Sequence, residues 1–394
     1  MKALGMYIFG GSQTIGHMLE GWEVDTVLEM TDEMIENNAY HFSKNYPNIN
    51  IKLPKEYEDN KEYLDSLKKE NYDLLFSNPP CSGLSQINRN ANVNNDVNKY
   101  IYKVIDMVKT IEPKIFFIEN APTLVSTGLP ILKDISKKLV DDYYLLIMND
   151  CAKNHNVSMH RRRTFVIGFN KKIFSGVPYI EMNAGKYTSA QDVLNGVDYT
   201  YNKEFVDGAK TELFKYYKYV KPGSSIYLTF ADNKQLDNEL SENLLRSIEK
   251  IREKQKNGES IWDKSSWRTP PDCRYPSLTS LTELIHPTED RDLYVREYAA
   301  IMGYPNDFIF YQDKSNTPVV QCIAQGVPVN FIRYISRELM NSFNANRFIS
   351  GDIVYINQTN PSNRKIYTYS LDKFISTDKI DNNENMFTCK QVLW

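Results

Sequence analysis

Cysteine is scarce in this sequence, with five residues scattered among 394. Their number is odd and no two of them form a Cys-x-x-Cys pair, which excludes a disulfide framework and the usual zinc-binding cysteine pattern. The five histidines are equally dispersed, so we expect no metal site. This cysteine usage is typical of a reducing compartment, where a special cysteine is reactive rather than structural.

Long hydrophobic runs, glycine and proline are also scarce. No run of about 18 apolar residues is present, so we expect no transmembrane helix, and residues 1–9 lack the apolar core and cleavage site of a signal peptide. With 17 glycines and 17 prolines the chain is neither collagen-like nor of low complexity. The 41% of hydrophobic and 25% of charged residues exclude wholesale disorder. The net charge of −3 does not by itself indicate nucleic-acid binding.

The first 170 residues alternate short apolar runs with segments of helical periodicity. We predict strands over Lys2–Phe9, Val24–Met30, Tyr72–Ser77, Lys114–Ile118, Tyr143–Met148 and Thr164–Phe169. Helices are predicted after Gly10-Gly11, over Asp32–Phe42 and over Tyr100–Ile111. This alternation predicts an α/β fold with a mostly parallel sheet that is covered on both faces. In such sheets ligands bind at the carboxyl ends of the strands.

The alternation ends near residue 171. Turns, aromatic residues and a charged helical stretch over Asn238–Lys256 follow, which indicates a second domain. Further helices are predicted over Asp290–Met302 and Val329–Met340, and a short strand over Ile353–Ile356. We therefore predict that a first domain ends near residue 170 and that a second domain follows it.

Three chemically informative features lie at strand ends of the main domain. Asn78-Pro79-Pro80-Cys81 follows a predicted strand, and its two prolines force a turn that presents a thiol at the sheet edge. Glu119 follows the next strand, and Arg161-Arg162-Arg163 precedes another. Taken singly, they are most simply a small buried side chain, a solvated acid and a charged loop. Their convergence on one edge favours a nucleophilic cysteine assisted by an acid and a cation.

A series of segments resembles, in the family's order, the motifs of the DNA (cytosine-5)-methyltransferases. The segments are Phe9-Gly10-Gly11, Glu29 in Val-Leu-Glu-Met, Pro80-Cys81, Glu119-Asn120, Arg161 with Arg163, Arg291–Glu297 followed by Gly303–Phe308, and Ala324–Pro328. The resemblance implies the α/β, Rossmann-like fold of class I methyltransferases, with a catalytic, cofactor-binding domain at 1–170 and 318–344 and a smaller target-recognition domain at 171–317. Residues 345–394 extend past the last motif and have no assigned role. The resemblance also implies S-adenosylmethionine as the methyl donor.

The same resemblance implies roles for four residues in the reaction. Cys81 would add to carbon 6 of a flipped-out cytosine and so activate carbon 5. Glu119 would stabilise charge at N3 of the ring, for which it needs a raised pKa, and Arg161 would contact O2. Arg163 would position Cys81 and its loop.

The resemblance also implies two sets of binding residues. For the cofactor, Phe9 would stack on adenine and Glu29 would bind the ribose hydroxyls; the other residues of this set are Gly10, Gly11, Asn78, Pro79, Gln325 and Val327. For DNA, the loop over Lys218–Ser225 is the preferred backbone-contacting segment, whereas the charged stretch Asn238–Lys256 is interpreted as a solvated helix face. The implied DNA contacts are Ser82, Ser85, Lys221, Gly223, Ser224 and Arg296.

Partners and alternatives follow from these motifs. The implied partner is double-stranded DNA, the protein is expected to be a cytoplasmic monomer of a bacterium or a phage-infected cell, and neither a membrane nor a metal is implied. Whether a restriction endonuclease accompanies it stays open. Alternative hypotheses are cytosine-5 methylation of tRNA, methylation of an exocyclic amino group (suggested by Asn78-Pro79-Pro80), and a catalytically silent DNA-binding homologue.

Overall fold

The computed structural model of the protein describes residues 1–31, 33–85, 88, 90–181, 185–204, 212–259, 261, 265–279, 283–311, 319–360, 362 and 364–380. The strands are β1 Lys2–Met6, β2 Glu23–Leu28, β3 Asn50–Lys52, β4 Leu74–Ser77, β5 Ile115–Asn120, β6 Tyr143–Cys151, β7 Arg162–Asn170, β8 Val177–Pro178, β9 Ser224–Ser225, β10 Trp267–Arg268, β11 Leu284–Ile285, β12 Phe348–Ile349, β13 Ile353–Asn357 and β14 Lys365–Tyr369.

Helices cover the sheet and connect its strands. They are α1 Ser12–Leu19, α2 Glu33–Glu36, α3 Tyr40–Asn45, α4 Pro54–Tyr57, α5 Lys61–Lys69, α6 Lys99–Ile111, α7 Leu129–Leu139, α8 Ala190–Asn195, α9 Ile226–Asp232, α10 Glu242–Lys256, α11 Val295–Ile301, α12 Val319–Gln325, α13 Val329–Asn341 and α14 Leu371–Ser376. Within the described ranges, no helix is both long enough and apolar enough to cross a membrane.

A nine-stranded sheet in the order β14-β13-β6-β7-β5-β4-β1-β2-β3 forms the centre of the molecule. Its neighbours pair in parallel, except that β7 is antiparallel to β5 and β6, and β14 is antiparallel to β13. The predicted mostly parallel α/β sheet is therefore confirmed. Because β7 runs in reverse, it begins at the edge where β1, β2, β4 and β5 end, so its arginines lie beside the other candidate site residues.

Both faces of the sheet are buried, as the strand composition predicts. In β5, Ile115 and Phe117 pack into one apolar cluster while Phe116 and Ile118 pack into another. Successive side chains of a strand point to opposite faces, so a continuous apolar strand needs cover on both sides. Residues of α1 and α13 cover the first face and residues of α6 and α7 cover the second.

A third apolar cluster is built from residues between Tyr216 and Ile285. It packs α9 and α10 beside a three-stranded sheet in the order β11-β10-β9. Within the charged stretch predicted as helical over Asn238–Lys256, the helix α10 begins at Glu242; it buries Ile248 and carries mostly exposed charged residues.

Two predicted helices are wrong in extent. The helix expected over Asp32–Phe42 is two short helices, α2 and α3, with turns at Asn37 and Asn38; asparagine side chains compete for backbone hydrogen bonds and favour such turns. Asp32 itself lies outside the described residues. The helix expected from Asp290 begins only at Val295. The preceding residues pair with β11 instead, since Leu293 N donates to Leu284 O at 3.1 Å and Asp292 forms a bridge with Ile285.

The C-terminal segment, for which the sequence suggested no role, extends the central sheet. β13 pairs in parallel with β6 from Ile353↔Leu145 to Asn357↔Asn149, and β14 forms the outer edge. The first four residues of β13 are nearly fully buried. Residues 381–394 of this segment lie outside the described residues.

Candidate active site

Cys81 lies on a loop that is held from both sides by the end of β5 and the turn after it. Asn120 Nδ2 donates to Pro79 O at 3.3 Å, two residues before the thiol. Beyond the thiol, Leu84 N donates to Cys81 O at 3.0 Å, and Thr123 Oγ1 donates to Leu84 O at 2.5 Å. The loop therefore reaches the sheet edge in a defined conformation, with Cys81 only partly exposed.

Glu119 is buried next to an arginine. Its side chain is 2% exposed, and its Oε1 lies 2.5 Å from Arg163 Nε. The sheet register explains this pairing, because Asn120 lies opposite Thr164 in the β5–β7 ladder and Arg163 is the next residue along β7. Arg163 also donates through Nη1 to Arg162 O at 2.8 Å.

Arg161 is held by carbonyl groups from distant parts of the chain. Its Nη1 donates to Leu278 O at 2.7 Å and its Nη2 donates to Ala324 O at 2.8 Å. Among the described residues, its Nε has no hydrogen-bond partner although it is buried. Burial and the neighbouring Arg163 charge lower the pKa of Arg161 to about 9, which leaves the guanidinium charged at neutral pH. One N–H group of this cation therefore remains for a ligand.

The charges of these four side chains act on one another. Burial raises the pKa of the Cys81 thiol, the Arg163 cation opposes this most strongly, and the Glu119 carboxylate adds to it. Burial likewise raises the pKa of Glu119, against the opposing effects of Arg163 and Arg161. The structure thus brings together the thiol, the carboxyl and both guanidinium groups that the sequence singled out.

Glu29 lies at the end of β2 and is fully buried. Its Oε1 accepts from Ile8 N at 2.9 Å and its Oε2 accepts from Met30 N at 3.3 Å. Burial outweighs these two hydrogen bonds and raises the pKa of Glu29 to about 7. A carboxylate has about four acceptor positions, so each oxygen can accept one further donor, as the two hydroxyls of a ribose require.

The turn between β1 and α1 is tight. Gly11 has a φ of 82°, and a Cβ there would lie 2.1 Å from the Phe42 ring; a Cβ on Gly10 would lie 2.6 Å from Cys322 O. Phe9 has a φ of 50° and a mostly buried side chain. At positions 10 and 11, only glycine fits without displacing the neighbouring atoms.

Two further segments meet this turn. Val327 is fully buried, and a Cβ on Gly326 would lie 1.9 Å from Ser12 Oγ at the start of α1. Asn78 Nδ2 and Gln325 Oε1 are buried and have no hydrogen-bond partner among the described residues. Buried donors and acceptors without partners are rare unless a ligand or water satisfies them. The remaining predicted cofactor residue, Pro79, is buried on the Cys81 loop.

The predicted DNA contacts fall on two surfaces. Ser82 is exposed and Ser85 partly buried on the Cys81 loop. Lys221 and Gly223 are exposed in the turn that precedes the small sheet, where Ser224 begins β9. Gly223 has a φ of 84° and donates through its N to Arg268 O at 2.8 Å, so this loop is anchored to β10.

Arg296 requires a correction. It was expected to contact DNA, but its side chain is fully buried and its Nη1 donates to Asn306 O at 3.1 Å and Phe308 O at 2.9 Å. An internal guanidinium with these contacts anchors the loop after α11 and cannot reach a phosphate. The sequence did not distinguish a surface arginine that contacts phosphate from a buried arginine that anchors a loop, because the residue type is the same in both cases.

The residues that hold the site in place were harder to find from the sequence. Arg161 binds the backbone carbonyls of Leu278 and Ala324. Because every residue has a backbone carbonyl, the side-chain types at these two positions do not indicate the contact. Tyr304, whose hydroxyl donates to Gly10 O at 3.1 Å, lies in the Gly303–Phe308 segment, which was noted only as part of the resemblance. Among the described residues, no group of three or more His, Cys, Asp or Glu side chains could hold a metal ion.

Comparison with known proteins places this geometry in context. The family model described as C-5 cytosine-specific DNA methylase matches residues 6–341. The Type II methyltransferase M1.HgaI of Avibacterium volantium is 23% identical over 86% of this chain and 98% of its own length. The Type II methyltransferase M.DdeI of Desulfomicrobium norvegicum is 21% identical and covers 96% of both chains.

Solved structures share the fold. A proposed DNA modification methyltransferase encoded within an E. coli prophage aligns with a TM-score of 0.60 at 19% identity, covering 87% of this chain and 99% of that chain. The Dnmt2 methyltransferase of S. pombe aligns with a TM-score of 0.54 at 12% identity, covering 87% and 99%.

Proposed function

This chain belongs to the C-5 cytosine-specific DNA methylase family, and we propose that it transfers a methyl group from S-adenosylmethionine to carbon 5 of cytosine in double-stranded DNA. The observation that carries the proposal is the convergence of Cys81, Glu119 and Arg161 at one sheet edge. Exocyclic amino methylation uses neither a thiol nor this acid, so the same convergence argues against it.

The residues around the first turn fit an adenosyl cofactor. Glu29 has free acceptor positions for two ribose hydroxyls, and Asn78 and Gln325 have unpartnered buried polar atoms beside the cradle formed by Gly10 and Gly11. When bound, S-adenosylmethionine supplies an electrophilic methyl group on a sulfonium. Phe9, Pro79 and Val327 would complete the apolar walls of this site.

Cys81 is proposed to act as the nucleophile. Its thiolate forms a bond to carbon 6 of a cytosine that has left the duplex stack, since the target atom is not reachable within paired DNA. The ring electrons then accumulate at N3 and O2 and at carbon 5, which becomes nucleophilic. Carbon 5 would then be able to accept the methyl group that S-adenosylmethionine supplies, which would leave neutral S-adenosylhomocysteine. Loss of the carbon-5 proton to solvent would let the ring double bond re-form and expel the Cys81 thiolate.

Glu119 and Arg161 are proposed to stabilise the charge on the ring. The raised pKa of Glu119 favours a carboxyl that can donate a proton to N3, and burial strengthens that interaction. The free Nε–H of Arg161 suits the O2 position. Arg163 keeps Glu119 oriented and favours the Cys81 thiolate through its charge.

The remaining segments are proposed to bind DNA. The unit at 171–317 would recognise the target sequence, with Lys221, Gly223 and Ser224 near the backbone, and the Cys81 loop with Ser82 and Ser85 would close over the extruded base. Relatives named as Type II methyltransferases support a role in restriction–modification beside a cognate endonuclease. We propose that the protein acts as a monomer.

A tritium-transfer assay tests the proposal. We expect label to pass from tritiated S-adenosylmethionine to duplex DNA, and Cys81→Ser to abolish transfer. In 5-fluorocytosine DNA, where carbon 5 cannot lose a proton, the wild type should form a covalent adduct that Cys81→Ser does not form. Bisulfite sequencing of DNA from expressing cells then gives the methylated position. Transfer to tRNA but not to DNA, or equal activity of wild type and Cys81→Ser, would contradict it.

A further inference from the structure

The C-terminal strand pair contributes to a buried polar network next to the arginine motif. β13 lies outside the part of the chain that the family model matches, which ends at residue 341. Directly after β13, Gln358 donates through its backbone N to Asn149 O at 3.0 Å. Its side chain is 3% exposed and its Nε2 donates to Asp150 Oδ2.

The Asp150 carboxylate is the centre of this network. It is fully buried and accepts from Cys151 N at 2.6 Å, from Asn154 Nδ2 at 3.0 Å and from Gln358. His155 Nε2 lies 2.6 Å from its Oδ2. A buried carboxylate is tolerated only when donors of this number and geometry surround it, so losing one donor loosens the others.

The network encloses the turn at residues 152–158, which leads to Arg161 and Arg163. Asn154 also donates through Nδ2 to Gln358 O at 2.9 Å, and the His155 ring stacks on Phe331 with centroids 4.7 Å apart. At the far end of the turn, Ala152 N donates to Arg161 O at 2.9 Å.

The sheet register carries the same connection. Asp150 lies directly opposite Arg163 in the β6–β7 ladder. Any movement of the end of β6 therefore moves the strand that positions Arg163 against Glu119.

We propose that Gln358, supplied by the C-terminal strand pair, is a positioning residue for the methyl-transfer site: through the Asp150 carboxylate it holds the turn at 152–158 and thereby places Arg161 and Arg163. The inference rests on the proposed function for its catalytic consequence. It assigns the C-terminal segment a task within the reaction, since that segment supplies both a donor and an acceptor to the network. Gln358 itself touches neither substrate nor cofactor.

Kinetics of two matched variants test the proposal. Gln358→Met keeps the side-chain length but removes the donor, whereas Ile356→Val weakens β13 packing without touching the network. Misplacement of reacting groups by about 1 Å costs up to about 100-fold in rate, so we expect Gln358→Met to lower kcat by about tenfold or more. KM for DNA and for S-adenosylmethionine should change less than about twofold. Both variants are assayed well below their melting temperatures. Under these conditions Ile356→Val should keep kcat within about twofold of the wild-type value.

Hydrogen exchange of the same variants gives a readout that does not need activity. Amides at 152–163 should exchange faster in Gln358→Met than in Ile356→Val, while amides of β1 stay unchanged in both. Gln358→Asn, which withdraws the amide by one methylene, replaces Gln358→Met if the latter does not fold. Equal kcat for the Gln358 and Ile356 variants, or unchanged exchange at 152–163, overturns the proposal. If the wild type transfers no methyl group, the proposed function fails while the exchange comparison still decides whether Gln358 holds the turn.

Discussion

Arg163 Nε lies 2.5 Å from Glu119 Oε1, and both side chains are largely withdrawn from solvent. The same guanidinium has the strongest lowering effect on the pKa of Glu119 and of Cys81, although burial leaves both pKa values raised. One cation therefore adjusts the proton affinity of the proposed acid and of the proposed nucleophile together. The Arg163 guanidinium lowers both pKa values through its position beside the two groups and not through a bond to substrate.

Replacing Arg163 with methionine should make Cys81 less reactive at a given pH. Without the cation, the pKa of the thiol rises further, so a smaller fraction is thiolate. We expect the pH midpoint for alkylation of Cys81 by iodoacetamide to move upward, and methyl transfer at neutral pH to fall. Arg162→Met is the matched control, because Arg162 is exposed and the same charge is lost. An unchanged midpoint in Arg163→Met would show that this charge does not act on the thiol.

Cofactor affinity should depend on pH through Glu29. The carboxylate must be ionised to accept hydrogen bonds from both ribose hydroxyls, and burial raises the pKa of Glu29 to about 7. Binding of S-adenosylhomocysteine, measured by calorimetry, should therefore weaken as the pH falls from 8 to 6.

The same group affects the stability of the free protein in the opposite direction. Because the folded pKa of Glu29 lies above its ordinary value of 4.5, its contribution to stability is greatest below that value and is lost as pH rises through about 7. Glu29→Gln should remove both dependences. If cofactor affinity in the wild type is flat between pH 6 and 8, Glu29 is not the ribose ligand.

Lys221→Ala should weaken DNA binding without changing sequence preference. A lysine that neutralises one phosphate contributes about one unit to the slope of log K against log salt, and its removal should reduce the slope by about 1. Lys250→Ala provides the control, because Lys250 is equally exposed on α10 but belongs to the helix interpreted as solvated. Equal slopes for the two variants would remove the Lys221 loop from the DNA-binding surface.

Arg296→Met should lower stability and leave the salt dependence of DNA binding unchanged. The substitution removes a buried donor from Asn306 O and Phe308 O. Leaving buried carbonyls without a donor costs about 1–3 kcal/mol, which should be measurable as a lower free energy of unfolding in urea. A reduced salt slope with unchanged stability would instead restore Arg296 as a phosphate contact.

Much of the fold was predictable because its signals are local. Apolar runs such as those containing Phe117 and Val166 need cover on both faces, and alternation with amphipathic helices predicts the parallel sheet. The ends of the individual helices were less predictable. The segment before Val295 has helical spacing but pairs with β11, because long-range backbone hydrogen bonds outweigh a weak local preference.

The amino-acid sequence by itself determined which candidate groups this protein has: a thiol after two prolines and an acid each follow a predicted strand, and paired arginines precede another. Their mutual arrangement depended on the folded molecule. The reversed direction of β7 places Arg163 against Glu119, backbone carbonyls far along the chain bind Arg161, and Gln358 reaches Asp150 only because β13 pairs with β6. Local spacing is encoded residue by residue, whereas burial, and with it the charge state of each group, arises when separate segments exclude water from the same place.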